Sequence, residues 1–139
     1  MQAAIGISQL NKLPKIIEKK QHIYDRYLKG FSKITDILKP IQLDRRSTAV
    51  HWFTSFLTEN KELLKSYLSK KNIETRDFFT PLNKQKCYAH IKSYRSYDIS
   101  DKVYRQGISL PSSYDLSLEQ QKYIIKTILD FFNKKNDLF

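Results

Sequence analysis

Between Thr48 and Thr58 the chain sets apolar, aromatic or β-branched residues on both sides of a two-residue alternation, and this limits the fold more than any other stretch. Val50, Trp52, Thr54 and Phe56 fall on one side, and His51, Phe53, Ser55 and Leu57 on the other. A strand with apolar groups on both faces has to be covered on both, which puts it in the middle of a small sheet. With 139 residues the chain is one domain long, so residues 1–139 are read as a single unit that supplies both the sheet and its cover.

The covering elements follow from helical periodicity. Ala3, Ala4, Ile7 and Leu10, then Ile16, Ile17, Ile23, Tyr24, Tyr27, Leu28 and Phe31, recur at the spacing of one helix face. Pro14 either starts a second helix, with Asn11 nearby as a cap, or kinks one long helix that stops at Gly30; we read one long kinked helix. Its opening, Met1-Gln2-Ala3-Ala4-Ile5, has neither a cap nor a polar lead-in. Either the end is frayed, or the segment belongs against a partner domain.

Further along, Pro40 marks a connection, with an extended piece expected at Ile41–Leu43. Glu59–Lys71 reads as an amphipathic helix capped by Thr58 and stopped at Asn72, with Leu63, Leu64, Tyr67 and Leu68 inward. Ile73–Arg76 is expected to be a second strand and Gln106–Pro111 a third. Short helices are expected over Lys84–Lys92, with Tyr88 and Ile91 inward, and over Ser100–Gln106. Ser117, with Glu119 and Gln120 behind it, signals the start of a final helix whose inner face is Tyr123, Ile124, Ile128, Phe131 and Phe132. The expected class is α+β: a three-stranded sheet covered by helices, with long N- and C-terminal helices as the main supports.

A net charge of +11 invites a nucleic-acid reading, with a basic binding or interaction module as the alternative function. The distribution argues against it. Lysines run along the whole chain with acidic residues mixed among them, and the densest runs, Lys12–Lys20 and Lys134–Lys135, lie on a helix and at a tail. No apolar run approaches the ~20 residues of a membrane-spanning helix. The single cysteine, Cys87, excludes an internal disulfide and points to a reducing cytoplasm.

The chemistry-bearing residues form no complete constellation. Three glycines do not make a phosphate loop, and His22, His51 and His90 lack metal-ligand spacing. Cys87 has lysines nearby but no base, and Ser112-Ser113 lack the context of a nucleophile. No catalytic or metal-binding residue is assigned. Arg76 is the exception to weigh. At a strand end, followed by Phe78-Phe79, its guanidinium suits a phosphate or carboxylate with a ring resting on an aromatic; the plainer alternative pairs it with Asp77 or Glu74.

Four segments, in order, resemble the C-terminal small domain of the DegT-like, fold type I, pyridoxal-phosphate-dependent nucleotide-sugar aminotransferases. Residues 1–10, MQAAIGISQL, are similar to the family's xQAAIGxxQL helix, and Val50-His51-Trp52 to its small-domain strand. Asn72–Leu82, NIETRDFFTPL, resembles GIETRxFFxPLH, and the run from Ile108 to Gln121 resembles LSLPSSxxLTEEQ. The resemblance implies transfer of an amino group from an amino acid, usually glutamate, through pyridoxal phosphate (PLP) to a keto sugar on a nucleotide. Such sugars end in lipopolysaccharide, O-antigen or other surface glycans. It also implies a homodimer and a substrate-binding role for Arg76, Phe79 and Asn83. Asn83 stands where the family often has histidine, leaving a hydrogen-bonding group without a titratable one. The lysine that forms the aldimine belongs to the family's large domain, and no lysine here stands in a matching context. The chain is therefore expected to carry no covalent cofactor, to be inactive alone, to need a large PLP-binding domain, and to self-associate when isolated.

Overall fold

Four short strands, antiparallel throughout, form the sheet in the order β1 (Lys39–Pro40), β2 (Thr54–Leu57), β4 (Gly107–Leu110), β3 (Arg76–Asp77). The computed structural model describes residues 1–92 and 95–136, with side chains of the last helix through 134. The class is α+β, as expected, but the described residues hold four strands rather than three. The extra strand pairs Lys39 and Pro40 with Leu57 and Phe56, just before the place where an extended piece was expected. Pro40 has no N–H to give a ladder, and an edge strand tolerates that.

Strand β2 is central, but it is shorter than the alternation predicts. Val50 and Trp52 are exposed, and the strand begins only at Thr54. One face is closed: Thr54 and Phe56 of β2 lie opposite Leu110 and Ile108 of β4, and all four are buried. The opposite face carries Ser55, Ser109 and Arg76 in register and is only partly covered.

Helices α1 (Gln2–Gly30) and α4 (Leu118–Asn136) back the closed face, with α2 (Lys61–Ser69) packed beside α4. The core joins Ile23, Tyr27 and Phe31 to Phe56, Leu64, Leu68, Ile108, Ile124, Ile128 and Phe132. Helix α1 runs continuously through Pro14, and the carbonyl deprived of a partner by the missing proline N–H lies where the helix is exposed to water. Gly30 ends α1 without a left-handed φ; its use is close approach, because a Cβ there would lie 2.7 Å from Ile125 Cγ2.

The local signals held at several ends. Ser117 Oγ accepts from the Gln120 N–H at 3.1 Å and Gln120 Oε1 from the Ser117 N–H at 2.9 Å, a closed capping box. Asn72 takes the left-handed conformation, φ 57°, that stops α2, and the Ile73 N–H donates back to the Leu68 carbonyl. Other expectations fail. Leu63 points to solvent, and only Leu64 and Leu68 of the expected set are buried. The helix expected over Lys84–Lys92 is replaced by two 3-10 turns, Leu82–Lys84 and Lys86–Tyr88, and Tyr88 and Ile91 are exposed rather than inward. Tyr123 is half exposed and donates its hydroxyl to the Lys71 carbonyl. The side chain of Lys135, in the second basic run, lies outside the described residues.

Candidate functional site

The segment from β3 to Pro81 leaves the sheet as a rib with a cavity on either side. Strand alternation sends Arg76 to the open face, opposite Ser109, and Asp77 to the other. Asp77 is therefore not the partner of Arg76. Its carboxylate is bound by Lys61 at 3.1 Å and by Lys65, and the Lys65 hydrogen bond is the larger reason why it stays ionised below the usual carboxylate range. Arg76 makes no ion pair among the described residues; its guanidinium lies 6.0 Å from the Phe53 ring centre. Phe53 in turn stacks on the exposed Trp52 at 4.9 Å.

The cavity on the open face measures about 700 Å³. Its floor is the hydroxyl pair of Ser55 and Ser109, 2.8 Å apart, and Thr75, Arg76, Phe53 and Phe79 stand around it. A free guanidinium against an aromatic ring, with hydroxyls below, suits an anionic group attached to something planar. On the far side of the rib a larger cavity of about 860 Å³ is lined chiefly by rings and aliphatic groups: Phe78, Phe79, Leu82, Tyr88, Ile91, Tyr97 and Tyr104. Asn83, Gln85 and Lys92 supply its polar edge.

The three residues expected to bind substrate do not share one pocket. Arg76 borders the smaller cavity, Asn83 the larger, and Phe79, 85% exposed, both. Sequence reading missed what fixes the rib. A Cβ at Gly107 would lie 2.6 Å from both the Phe78 ring and the Val103 carbonyl, so only glycine lets that ring rest on the start of β4. The available signal was a glycine opening a strand in a chain with three. Helix α3 (Asp98–Gln106) forms the opposite wall through Val103 and Tyr104, and is tied down where Lys84 meets Asp101 at 2.9 Å and where the Thr80 hydroxyl donates to the Tyr104 hydroxyl at 3.4 Å.

The remaining candidates are dispersed. His51 stacks on Tyr24 with ring centres 3.8 Å apart, and burial lowers its pKa. His22 and His90 are exposed, and no group of histidine, cysteine or carboxylate side chains suited to a metal occurs among the described residues. Cys87 is exposed, and Ser112 is buried with its carbonyl held by Lys20. No helix is long and apolar enough to cross a membrane, among the described residues.

This architecture and sequence have relatives. GDP-perosamine synthase of Escherichia coli O157:H7 is 34% identical over 139 residues, covering 96% of this chain and 36% of the relative. That of Vibrio cholerae is 30% identical, over 94% of this chain and 36% of its own length. The chain thus spans about a third of the curated relatives it matches. The crystal structure of a DegT DnrJ EryC1 StrS aminotransferase from Brucella abortus superposes with a TM-score of 0.81 at 26% identity, over 94% of this chain and 35% of that one. Helicobacter pylori PseC, an aminotransferase involved in the biosynthesis of pseudoaminic acid, shares the fold with a TM-score of 0.82 at 23% identity, over 96% of this chain and 37% of that one. Matched by the family model over residues 1–129, the chain belongs to the DegT/DnrJ/EryC1/StrS aminotransferase family.

Proposed function

We propose that this chain is the C-terminal small-domain part of a PLP-dependent aminotransferase acting on nucleotide-linked keto sugars for surface glycans, and that it supplies one wall of the substrate site. The observation that carries this is the rib. Arg76, Phe79 and Asn83 stand on one stretch between two open cavities, in a chain that aligns nearly end to end with about a third of sugar aminotransferases. On this reading Arg76 takes an anionic group of the nucleotide sugar, Phe79 packs on its ring, and Asn83 hydrogen-bonds it without titrating. The work is done in the cytoplasm by a homodimer whose large domain, in the same longer chain or separately encoded, holds the cofactor.

On this reading the PLP site belongs to the large domain. The cofactor supplies an electron sink when bound to a lysine amine. The buried lysine here, Lys61, is engaged as a cation by Asp77 and by the Tyr104 carbonyl. No step through the cofactor is assigned to this chain; its own residues bind and orient.

The test is reconstitution. The purified chain mixed with the lysine-bearing domain of a family member, PLP, glutamate and a nucleotide-linked keto sugar is expected to form the amino sugar, with neither part active alone. Borohydride reduction of the chain with PLP is expected to leave no stoichiometric adduct. A defined single-lysine adduct, or turnover by the chain alone, would sink the assignment.

A further inference from the structure

Lys61 opens α2 on the same helix face as Leu64 and Leu68, and its side chain is only 6% exposed. A buried ammonium is costly unless its three donors are used, and here they meet groups from two other elements. Its Nζ donates to the Tyr104 carbonyl at 3.0 Å, pairs with Asp77 Oδ1 at 3.1 Å, and stands 5.2 Å from the centre of the Tyr104 ring. Glu62, at 3.9 Å, is a distant third partner on the helix itself. Asp77 immediately precedes the Phe78-Phe79 rib, and Tyr104 forms the facing wall of the larger cavity. Beside the direct ties of Lys84 to Asp101 and Thr80 to Tyr104, both walls of that cavity therefore share one buried cation rooted in a third element.

We propose that Lys61 is a positioning residue that fixes the β3 rib and the end of α3 at the spacing of the larger cavity. This rests on the reading above, in which that cavity borders the substrate. A leucine would fill the same space on α2, but it could neither capture a carboxylate on one side nor a carbonyl and a ring face on the other. Lys65, 37% exposed, also holds Asp77 and feels the charge of Tyr104, but it donates no hydrogen bond to α3 among the described residues, so the buried, hydrogen-bonded bridge belongs to Lys61.

Backbone hydrogen exchange of the chain tests this without any ligand. In Lys61→Met the protected amides of β3 and of the last turn of α3 are expected to exchange about tenfold faster, as loss of a charged hydrogen bond implies, with those of Ile23–Gly30 and of α4 unchanged. Lys61→Arg should stay near wild type. Asp77→Asn, which frees Lys65 as well, should speed β3 at least as much, and the double variant Lys61→Met/Asp77→Asn should be no faster there than Asp77→Asn. Unchanged exchange, a uniform rise over the whole core, or independent multiplying effects in the double variant would overturn the brace. If Lys61→Met does not fold, Asp77→Asn decides at β3, where unchanged exchange overturns it. Failed reconstitution would remove the aminotransferase reading without altering these rates, so the two can fail separately.

Discussion

From Ile5 to Leu13 the apolar residues of α1 stand in the open, with Ile5 58%, Ile7 63% and Leu10 65% exposed, whereas Ile23 and Tyr27 of the same helix are fully enclosed. Both halves show helical apolar spacing, so periodicity does not separate them. Polar anchoring and distant cover do. Around Ile23, Lys20 binds the carbonyls of Trp52 and Ser112, Arg26 donates to Gln121 at 2.6 Å, and Gln121 donates to the Ile23 carbonyl at 2.7 Å. Tyr27 donates to the Pro111 carbonyl at 2.9 Å, and its burial pushes the phenol well above its usual pKa. An apolar stripe states that a face is suited to burial; side chains about a hundred residues away decide whether this chain buries it.

The largest effect should come from breaking the closed half. Ile23→Ala removes a fully buried side chain from the contact with the sheet and α4, and is expected to cost about 2–5 kcal/mol in urea unfolding. The same change at Ile5 should be barely detectable, and equal losses at the two sites would erase the contrast.

The sheet repeats the contrast, closed toward α1 and open at Arg76, with Ser55 half-buried and Ser109 buried beside it and Phe78 at the boundary. Gly107→Ala drives a methyl group into the Phe78 ring and a backbone carbonyl that cannot yield cheaply, and is expected to cost about 1–3 kcal/mol. It should also change the ring resonances of Phe78 and Phe79, and a neutral Gly107→Ala would mean that the rib is not seated on β4. Tyr27→Phe, a smaller break, keeps the packing but leaves the Pro111 carbonyl without its donor, at about 1 kcal/mol.

His51 joins the middle of α1 to the loop before β2, at φ 50°. Burial lowers its folded pKa, with Asp25 opposing, so the unfolded chain takes up the proton first as pH falls. The stability from the neutral, stacked ring is thus fully present above the unfolded pKa of about 6.5, and is lost as pH drops through the lower folded value. His51→Asn tolerates the left-handed backbone but removes the titration. The fall in Tm from pH 7.5 to pH 5 should therefore be smaller in His51→Asn than in wild type, and identical slopes would place the pH dependence elsewhere.

Much of this was legible because local chemistry decided it. The Ser117 box, the Asn72 stop, β4 and the inner set Leu64–Leu68 follow from residues within one or two turns of each other. Trp52 was misjudged because alternation marks what can pair, whereas pairing ends where β4 ends, at Leu110 opposite Thr54. Tyr88 and Ile91 were misjudged because apolar residues beside an open cavity look like core residues in sequence. Sequence places Arg76, Phe79 and Asn83 on one stretch, but the division of that stretch between two cavities was not legible, since it depends on Gly107 and on the buried Lys61, a lysine that composition counts as surface.

The smallest folding effect belongs to Leu10, and there the comparison is most exposed to failure. Leu10→Lys should leave the unfolding midpoint within about 0.5 kcal/mol of wild type, because in this chain the side chain touches little but water. An apolar row along one exposed helix face nevertheless favours association, so light scattering of the wild-type chain at high concentration should show self-association and the variant should show less. On the proposed reading the row faces the lysine-bearing domain, so in reconstitution with that domain the variant should bind more weakly. A large folding cost would mean that the first half of α1 is part of this core after all; unchanged association in both assays would mean that its apolar row covers nothing.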